Sequence, residues 1–406
     1  MAMAKKIMIL GGSELQLPAI VKAKEMGLDV VVCDYYPDCV GKRVPGVIGE
    51  LISTYDYEGV LQAAEKHKID AITTLCTDYP VRIVAYVAKK LNLPALSEET
   101  AYKATDKGQM RKCLEECGVP IPKYRLVSTK EEFFEKLKDF NGKCVVKAVD
   151  NSGSRGIKML DDPRSEALAE EAFDYCKEYS RSGDIVIEEF MKGPEVCVET
   201  LNYNGVCYPI QVTDQLAKKP PFFTDAGYSQ PSALSADTVE ECRKIAVMTN
   251  MALKNYTGSS CTELIVTEEG PKVVEIGPRL AGDYMTSHLV PYSTGVDMVE
   301  GIIKIALGEA PDVTPKFRKG SCVRYYMEPV KGEITEIAGL DEAKAVEGVK
   351  DVILMKKVGD MAVPLRSSSD RIGLVIAQAD NAQKAVQVCE EALRRIKITT
   401  KEPLPV

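Results

Sequence analysis

Two short apolar segments with a tight loop between them constrain this chain most strongly. Residues 260–266 and 272–277 have the composition of β-strands, and the Glu-Glu-Gly sequence at 268–270 suits a hairpin loop with glycine in the left-handed position. In that register Glu263 faces Glu275, with their Cβ atoms roughly 4.5–5.5 Å apart on one face. Two carboxylates this close repel each other unless a cation lies between them. The hairpin therefore predicts a metal site.

The ligand types indicate which metal this site would bind. Oxygen ligands, completed by phosphates, suit Mg²⁺ (or Mn²⁺). Arg279 follows Glu275 by four residues and offers a fixed fork of donors for a phosphate or a carboxylate. The alternative is an acidic surface hairpin with solvated charges, which would suffice for either glutamate alone. The pair in register, flanked by apolar residues and followed by Arg279, favours the metal site.

Composition excludes several classes of protein. The chain has 406 residues, enough for two or three domains, and its net charge of −8 argues against a general nucleic-acid-binding protein. No apolar run approaches the roughly 20 residues of a membrane span. The 13 cysteines have no Cys-x-x-Cys spacing, which is typical of core residues in a reduced, cytoplasmic protein. Two histidines, His67 and His288, are too few for ordinary zinc sites or His-based triads.

The first hundred residues alternate between strands and helices. Strands at 6–10, 29–33 and 71–75, with helices between them, predict a parallel sheet covered by helices on both faces. Ligands of such sheets bind beyond the carboxyl ends of the strands, and Asp78 lies in that position. The glycine pair at 11–12 lacks the full spacing of a dinucleotide site, so an oxidoreductase is the weakest interpretation. We interpret this region as a substrate-side domain; alternatively, the glycines only shape a turn.

Two lysines and a glycine-rich loop predict a phosphate site in the middle of the chain. Lys107 opens a helix, and Lys147 ends a strand that the loop Asp150–Gly156 follows. Such a loop can bend its backbone N–H groups around phosphate oxygens, and the lysines supply positive charge beside them. The Gly-Lys-Ser/Thr sequence of a P-loop is absent, and a plain hairpin turn is the alternative.

Two later segments complete the organisation. Residues 211–234 contain prolines and aromatic residues and predict a loop of over twenty residues, which in a compact domain is usually functional. Its apolar content favours an ordered active-site loop. A Pro-containing connection at 310–318 predicts a domain boundary, and the strands and helices after it predict a small α+β unit.

In their order and spacing, these motifs resemble the ATP-grasp superfamily of carboxylate–amine (or thiol) ligases. The resemblance rests on Lys107, Lys147, the loop 152–156, the segment 188–195, Glu263 and the Glu275-x-x-x-Arg279 pattern. It covers nearly the whole chain and implies an α/β and α+β architecture with an ATP-grasp fold. Residues 11–34 and 102–124 also resemble phosphoribosylglycinamide synthetase and transformylase relatives.

The resemblance implies three domains. Residues 1–97 would form a parallel-sheet pre-ATP-grasp domain on the substrate side. Residues 98–312 would form the ATP-grasp domain, with a mobile lid subdomain at about 118–187. Residues 313–406 would form a small α+β C-terminal domain like that of L-amino-acid-ligase-like members.

The resemblance also implies roles for particular side chains. Those that would bind ATP, from its phosphates to its adenosine, are Lys107, Lys147, Ser152, Gly153, Ser154, Gly156, Glu188, Glu189, Phe190, Met191 and Glu195. Mg²⁺ would be held by Glu263 and Glu275. The expected catalytic residues are Lys147 and Arg279, the latter on the transferred phosphoryl group or the substrate carboxylate. The expected substrate contacts are Asp78, Asp225, Tyr228 and Arg279.

Two positions depart from the family pattern. Many relatives have Glu-x-Asn where this chain has Gly277 after Glu275, so one metal ligand is lost or is supplied by water. Tyr228 stands where amino-acid-ligase relatives carry a histidine in the substrate loop. Both departures concern how many metals and which substrates the site accepts.

The implied activity is ligation of a carboxylate to an amine through an acyl phosphate, with release of ADP and phosphate. The expected partners are small molecules, without nucleic acid or membrane, and a homodimer is possible because dimers are common in the family. A second hypothesis is a formate- or bicarbonate-activating enzyme of a phosphoribosyl substrate, for which Lys42, Arg43 and Arg82 are the available basic residues. A third is a non-catalytic ATP-binding module.

Overall fold

The computed structural model describes residues 4–151, 155–217, 224–365 and 367–401. Three predicted lid-loop residues lie outside this part: Ser152, Gly153 and Ser154. Within it, no helix combines the length and apolar character needed to cross a membrane.

The N-terminal part is a parallel sheet between two layers of helices, as predicted. Its elements are β1 (Lys6–Leu10), α1 (Leu17–Glu25), β2 (Asp29–Asp34), a 3₁₀ turn (Val40–Arg43), β3 (Val47–Leu51), α2 (Tyr57–His67), β4 (Ala71–Thr74) and α3 (Pro80–Leu91). The strand order is β3-β2-β1-β4. Side chains of β1 alternate between the helix layers: Ile7 and Ile9 pack with α1, whereas Met8 and Leu10 pack with α2 and α3.

Two elements of this region were not predicted. The edge strand β3 has mostly exposed or half-buried residues, so it lacks the apolar run by which a buried parallel strand is recognised. The helix predicted to open at Lys107 is present as α5 (Lys107–Glu116), but a separate helix before it, α4 (Glu98–Thr105), was not predicted. Asp106 separates them, because its carboxylate caps α5 by accepting a hydrogen bond from the backbone N–H of Gln109 at 2.9 Å.

The lid subdomain is an antiparallel sheet covered by two helices. Its elements are β5 (Tyr124–Val127), α6 (Lys130–Leu137), β6 (Cys144–Ala148), β7 (Ile157–Leu160), α7 (Glu166–Tyr179) and β8 (Ile185–Glu189). The strand order is β5-β8-β6-β7. Phe133 of α6 and Phe173 of α7 pack against the sheet, with their ring centroids 5.3 Å apart. This core is separate from those of the rest of the chain.

A large antiparallel sheet carries the predicted metal hairpin. Its first elements are β9 (Glu195–Tyr203), β10 (Val206–Ala217), β11 (Asp225–Gln230), α8 (Ala236–Ala252), β12 (Gly258–Thr267) and β13 (Gly270–Gly277). A π-helical turn (Met285–Leu289), α9 (Val290–Thr294) and α10 (Met298–Ala306) follow. The pair β12–β13 is the hairpin predicted from the sequence.

The prediction of a long loop at 211–234 is wrong. Most of this segment belongs to β10 and β11, which pair with each other and extend the sheet between β9 and β14 (Gly320–Tyr325). The strand pattern was hidden because one face of β10 is polar: Gln211, Thr213 and Gln215 point to one side. Residues 218–223 lie outside the described part of the chain.

The C-terminal elements extend the same sheet. They are β14, β15 (Gly332–Ala338), α11 (Leu340–Lys344), β16 (Val349–Leu354), β17 (Met361–Ala362), a 3₁₀ turn (Ser368–Asp370), β18 (Gly373–Ala379), α12 (Ala382–Arg395) and β19 (Lys397–Lys401). The order β13-β12-β9-β10-β11-β14-β18-β16 runs through the predicted boundary near residue 312. The remaining strands form a small sheet, β17-β15-β19. The predicted domain limits stay a prediction, and the tail is α+β as expected.

Gly193, in the connection between β8 and β9, is a position where the packing requires glycine. A Cβ atom at this residue would lie 1.9 Å from the carbonyl oxygen of Val266, whereas at Gly142 it would meet no described heavy atom within 4 Å. We expect Gly193→Ala to lower the free energy of unfolding by about 1–3 kcal/mol. Gly142→Ala, the matched control, should leave the midpoint of thermal unfolding nearly unchanged. Equal midpoints for both variants would contradict the packing assignment.

Candidate active site

The predicted carboxylate pair is present in the structure. Glu263 of β12 pairs directly with Glu275 of β13, and the ladder shifts register immediately afterwards. Burial and the nearby carboxylate of Glu275 raise the pKa of Glu263 well above its ordinary value. The charge of Lys107 lowers the pKa of Glu275. Two facing carboxylates repel each other when both are ionised. A divalent cation that prefers oxygen ligands would relieve this repulsion.

Lys107 links the metal hairpin to the lid. It is the first residue of α5, and its backbone N–H bonds to the carbonyl oxygen of Val149 at 2.8 Å. Its Nζ atom lies 3.0 Å from the Glu275 carboxylate and 2.9 Å from the carbonyl oxygen of Asn151, where the lid loop begins. One ammonium group therefore lies beside both the carboxylate pair and the start of the glycine-rich loop.

Lys147 and Glu188 belong to a buried ion triad. Glu188 is 2% exposed, and its two carboxylate oxygens accept hydrogen bonds from Lys147 Nζ and Arg111 Nε, each at 2.7 Å. Burial alone would raise the pKa of Glu188, but the two cations lower it to about 2. Arg111 was missed in the sequence. A signal was available, because Arg111 follows Lys107 by four residues and so shares its face of α5.

The other predicted adenosine-binding residues lie where the lid sheet meets the large sheet. The carboxylate of Glu189 is 3.2 Å from Lys272 Nζ, and Phe190 is exposed at 38% of its surface. Met191 and Glu195 are half-buried. Burial raises the pKa of Glu195. The segment thus offers one exposed aromatic ring and two carboxylates to a ligand that lies between the sheets.

Arg279 and Asp78 form an ion pair that joins the large sheet to the N-terminal sheet. Arg279 Nε donates to Asp78 Oδ1 at 2.9 Å, so the loop after β13 is joined to the loop after β4. A Cβ atom on Gly277 would lie 2.7 Å from Arg279 Cζ. The guanidinium group thus occupies the space into which the side chain of a larger residue 277 would project.

Asp225 and Tyr228 lie in a second polar cluster. The buried Tyr228 hydroxyl lies 2.7 Å from Asp225 Oδ2 and 3.1 Å from Asp283 Oδ2, so its single proton can be donated to either carboxylate. Arg371 donates to Asp283 Oδ1 at 3.0 Å and stacks over the ring of Tyr325, with Cζ 3.7 Å from the centroid. Asp283 and Arg371 were not identified from the sequence. Arg371 lies 146 residues beyond Asp225, and no local pattern connects the two.

Gly156 ends the predicted lid loop with a φ of +69°, and a Cβ atom there would lie 2.6 Å from Cβ of Tyr179.

The lid also contacts the N-terminal part of the chain. After α7, the guanidinium of Arg181 lies 5.3 Å from the ring centroid of Tyr55 and 5.0 Å from that of Tyr79. This contact between the lid and the N-terminal part was not predicted.

A cavity lies where the N-terminal sheet, the lid and the metal hairpin meet. Residues that line it from these three parts include Asp78, Tyr79, Lys107, Asn151, Arg181 and Glu275. Arg279 joins this region through its ion pair with Asp78, and the charges of Lys147 and Glu188 influence the pKa values of Glu275 and Lys107. Asp225 and Tyr228 lie on the same large sheet beyond Glu263, whose pKa the charge of Asp225 helps to raise.

The lid sheet and the large sheet meet at the paired carboxylates Glu263 and Glu275 and the two lysines Lys107 and Lys147. This arrangement is typical of an ATP-grasp enzyme. A family model of the ATP-grasp domain matches residues 104–283, and a model of the L-amino acid ligase C-terminal domain 2 matches residues 324–401. Together they cover more than half of the chain. The chain belongs to the ATP-grasp superfamily of ATP-dependent ligases.

Individual relatives agree with this assignment. The uncharacterized protein y4rH of Sinorhizobium fredii is 29% identical over 361 residues, which cover 87% of this chain and 71% of that protein. A formate-dependent phosphoribosylglycinamide formyltransferase of Vibrio vulnificus is 24% identical over 417 residues, 97% of each chain. The crystal structure of the L-amino acid ligase from Bacillus licheniformis superposes with a TM-score of 0.84 at 22% identity, covering 99% of this chain and 100% of that one. At this identity the superposition establishes the fold.

The buried triad predicts a pH-dependent contribution to stability. The pKa of Glu188 is lowered from its ordinary 4.5 to about 2, so its ion pairs stabilise the folded state above about pH 5 and this stabilisation is lost as the pH falls towards 2. Glu188→Gln should cost about 3–5 kcal/mol of unfolding free energy at pH 7, because Arg111 and Lys147 stay buried without a counter-charge. The difference in unfolding free energy between Glu188→Gln and the parent chain should become smaller as the pH falls below 5.

Denaturant unfolding at several pH values measures this difference. Glu135→Gln is the control, since Glu135 is largely exposed and pairs only with its neighbour Lys136 among the described residues. The triad would not have the assigned role if Glu188→Gln and Glu135→Gln had the same unfolding midpoint at pH 7.

Proposed function

We propose that the protein joins the carboxylate of an amino acid, or of a similar small metabolite, to an amine at the expense of ATP. The proposal is carried by the Lys107–Glu275 ion pair at 3.0 Å, with Glu263 opposite. This arrangement places a cation-binding pair and a phosphate-binding ammonium in one site. Ligation through a phosphorylated intermediate needs positioning and charge neutralisation more than a protein nucleophile.

In this proposal, Glu263 and Glu275 hold Mg²⁺ or Mn²⁺, which neutralises phosphate oxygens when bound. Lys107 and Lys147 bind the phosphates of ATP. The adenosine occupies the junction of the two sheets, against the segment Glu188–Met191 and Glu195.

The proposed reaction has two steps. A carboxylate oxygen of the first substrate attacks the γ-phosphorus, the bond from phosphorus to the bridging oxygen breaks, and ADP leaves. The amine then attacks the acyl carbon of the acyl phosphate, loses a proton and expels phosphate. Arg279 is the donor for the transferred phosphoryl group or the substrate carboxylate, and Asp78 fixes its guanidinium through the 2.9 Å hydrogen bond.

The cluster around Tyr228 supports binding of an amino acid. Asp225 and Asp283 present carboxylates to one hydroxyl, and Gln215 Nε2 donates to Asp225 at 2.8 Å. Such a set can bind a substrate ammonium group. The hydroxyl of Tyr228 is not a base at neutral pH, because burial raises its pKa well above 10. Its proposed task is therefore to position the carboxylates.

A phosphoribosyl substrate is the second candidate. It is favoured by the similarity over 97% of both chains to the formyltransferase of Vibrio vulnificus. Two of the expected basic residues are already bonded within the chain: Lys42 Nζ to the carbonyl oxygens of Asp34 and Tyr36, and Arg82 to Thr105. These contacts occupy N–H donors that a ribose phosphate would need, and we therefore rank this candidate second.

The cysteines support a cytoplasmic location. All of them are free thiols, and most are buried. This pattern is typical of proteins from reducing compartments. A homodimer remains a prediction from the family.

The first experiment measures ADP release with Mg²⁺-ATP across a panel of amino acids, singly and in pairs, and with glycinamide ribonucleotide plus formate. We expect release that requires a particular pair of amino acids. Release with the ribonucleotide and formate would instead assign the second candidate. ATP binding without release for any substrate pair would contradict ligation of amino acids and support the non-catalytic module.

Glu275→Gln is the companion variant. It removes one carboxylate charge from the metal pair while keeping the shape of the side chain. We expect ADP release to fall by about 10²–10³-fold, since the affected charges stabilise the transition state. Glu269→Gln, on the exposed turn of the same hairpin, is the control and should retain full activity. Full activity of Glu275→Gln would contradict the metal assignment.

Tyr228→Phe tests the substrate cluster. The variant loses the hydroxyl that bridges Asp225 and Asp283, so these carboxylates should bind the amino-acid substrate less well. A lost hydrogen bond of about 0.5–1.5 kcal/mol corresponds to a KM for the amino acid raised by about two- to tenfold. The KM for ATP should stay within about twofold. Tyr86→Phe removes a comparable hydroxyl–carboxylate contact, to Glu58, far from the site and is the control. Equal KM changes in both variants would exclude the assigned role.

A further inference from the structure

Two cysteines lie beside the carboxylate pair on the same face of the large sheet. Cys197 of β9 is directly opposite Glu263 of β12, and Cys261 of β12 is two residues before Glu263. Both Sγ atoms and a carboxylate oxygen of Glu263 lie within 4.8 Å of one another. Within the part of the chain that the structure describes, no other three side chains of His, Cys, Asp or Glu bring ligand atoms so close together.

The ordinary interpretation is a pair of core cysteines. Cys197 and Cys261 are buried, and they pack among apolar residues such as Ala281 and Met285. This interpretation accounts for their burial, since free cysteine behaves as a small apolar residue. It does not account for the approach of both Sγ atoms and a carboxylate oxygen of Glu263 to within 4.8 Å of one another.

A separate observation marks the same place as polar and incompletely bonded. Glu199 lies directly opposite Cys261 on β9, and its side chain is fully buried. Its Oε1 accepts a hydrogen bond from Thr213 at 2.8 Å, but its Oε2 has no hydrogen-bond partner among the described residues. A buried oxygen without a partner costs about 1–3 kcal/mol, and a bound ion or water is one arrangement that satisfies it.

We propose that Cys197, Cys261 and Glu263 form a second metal site that takes a thiophilic divalent cation such as Zn²⁺ or Cd²⁺. Two sulfur ligands and one carboxylate leave a fourth position open, as in zinc sites with three protein ligands. Sulfur ligands select Zn²⁺ and Cd²⁺ over Mg²⁺, which requires oxygen. Binding displaces the two thiol protons to solvent.

The two metal sites share Glu263. A carboxylate that is bound to Zn²⁺ beside two thiolates is withdrawn from the pair with Glu275. Zn²⁺ therefore displaces Mg²⁺ from the site and stops ligation, a consequence that rests on the function proposed above. Binding of the thiophilic cation itself does not depend on that function.

Direct binding is tested with Cd²⁺ and the full-length chain. The chain is first treated with a chelator and a reductant, both are removed, and Cd²⁺ is added while the ultraviolet charge-transfer band from thiolate to Cd²⁺ is recorded. We expect one tight site per chain with the intensity of two thiolates. In Cys197→Ala and in Cys261→Ala the affinity should fall by at least about 100-fold, and in Glu263→Gln by about tenfold.

Cys242→Ala is the matched control, because Cys242 is also fully buried but lies on α8 in another core. It should bind Cd²⁺ like the parent chain. Thermal unfolding of each variant without metal verifies that it is folded, and only folded variants are compared. Unchanged Cd²⁺ affinity in Cys197→Ala and Cys261→Ala, or absence of the band in the parent chain, would overturn the proposal.

Competition with Mg²⁺ tests whether Glu263 is shared. Raising Mg²⁺ in the presence of ATP should weaken Cd²⁺ binding to the parent chain but not to Glu263→Gln. If ADP release is found, micromolar Zn²⁺ should inhibit the parent and Cys242→Ala, whereas Cys197→Ala should lose this sensitivity. Cd²⁺ binding that is independent of Mg²⁺ would contradict the shared ligand, and it would leave the proposed ligase reaction untouched. Failure of every ligase substrate would leave the Cd²⁺ result standing.

Discussion

The buried triad of Arg111, Glu188 and Lys147 is the contact on which the geometry of the site depends. Glu188 belongs to β8 and Lys147 to β6 of the lid sheet, whereas Arg111 belongs to α5. Arg111 also donates to the carbonyl oxygens of Val273 and Val274, adjacent to Glu275. One fully buried guanidinium thus ties the lid, the helix of Lys107 and the metal hairpin together. A charge in this position is costly without all its partners, so the three parts are held in one arrangement.

Those features of the site that depend on local interactions could be predicted from the sequence. The facing of Glu263 and Glu275 follows from a short loop and the two-residue period of strands, and the structure has this register. Lys107 was found because a helix begins there. Arg371 and Asp283 could not be found in this way, since they approach Asp225 only through the pairing of distant strands. The polar face of β10 concealed a strand for the same reason: its buried polar residues are satisfied by neighbours that the sequence does not identify.

Strand pairing on the other side of β12 brings the cysteine cluster together, as pairing with β13 brings the carboxylates together. Counting histidines and Cys-x-x-Cys spacings argued against thiophilic metals, because such rules consider ligands that are close in the sequence. Cys197 and Cys261 are 64 residues apart and become neighbours only because β9 pairs with β12. A ladder of three strands therefore brings together both proposed sets of ligands, one of oxygens and one that includes sulfur, which meet at Glu263.

The continuity of the large sheet has a consequence for dividing the chain. The order β10-β11-β14-β18-β16 places residues of the tail directly beside β11, which carries Asp225 and Tyr228. A chain cut near residue 312 would leave β11 with unpaired backbone N–H and C=O groups along one side. Such an open edge recruits strands from other molecules and promotes aggregation. The C-terminal residues thus belong to the same sheet as the proposed substrate cluster and do not form an independent module. Exchanging them between relatives would replace β14, the strand that pairs with β11 and supports Asp225 and Tyr228.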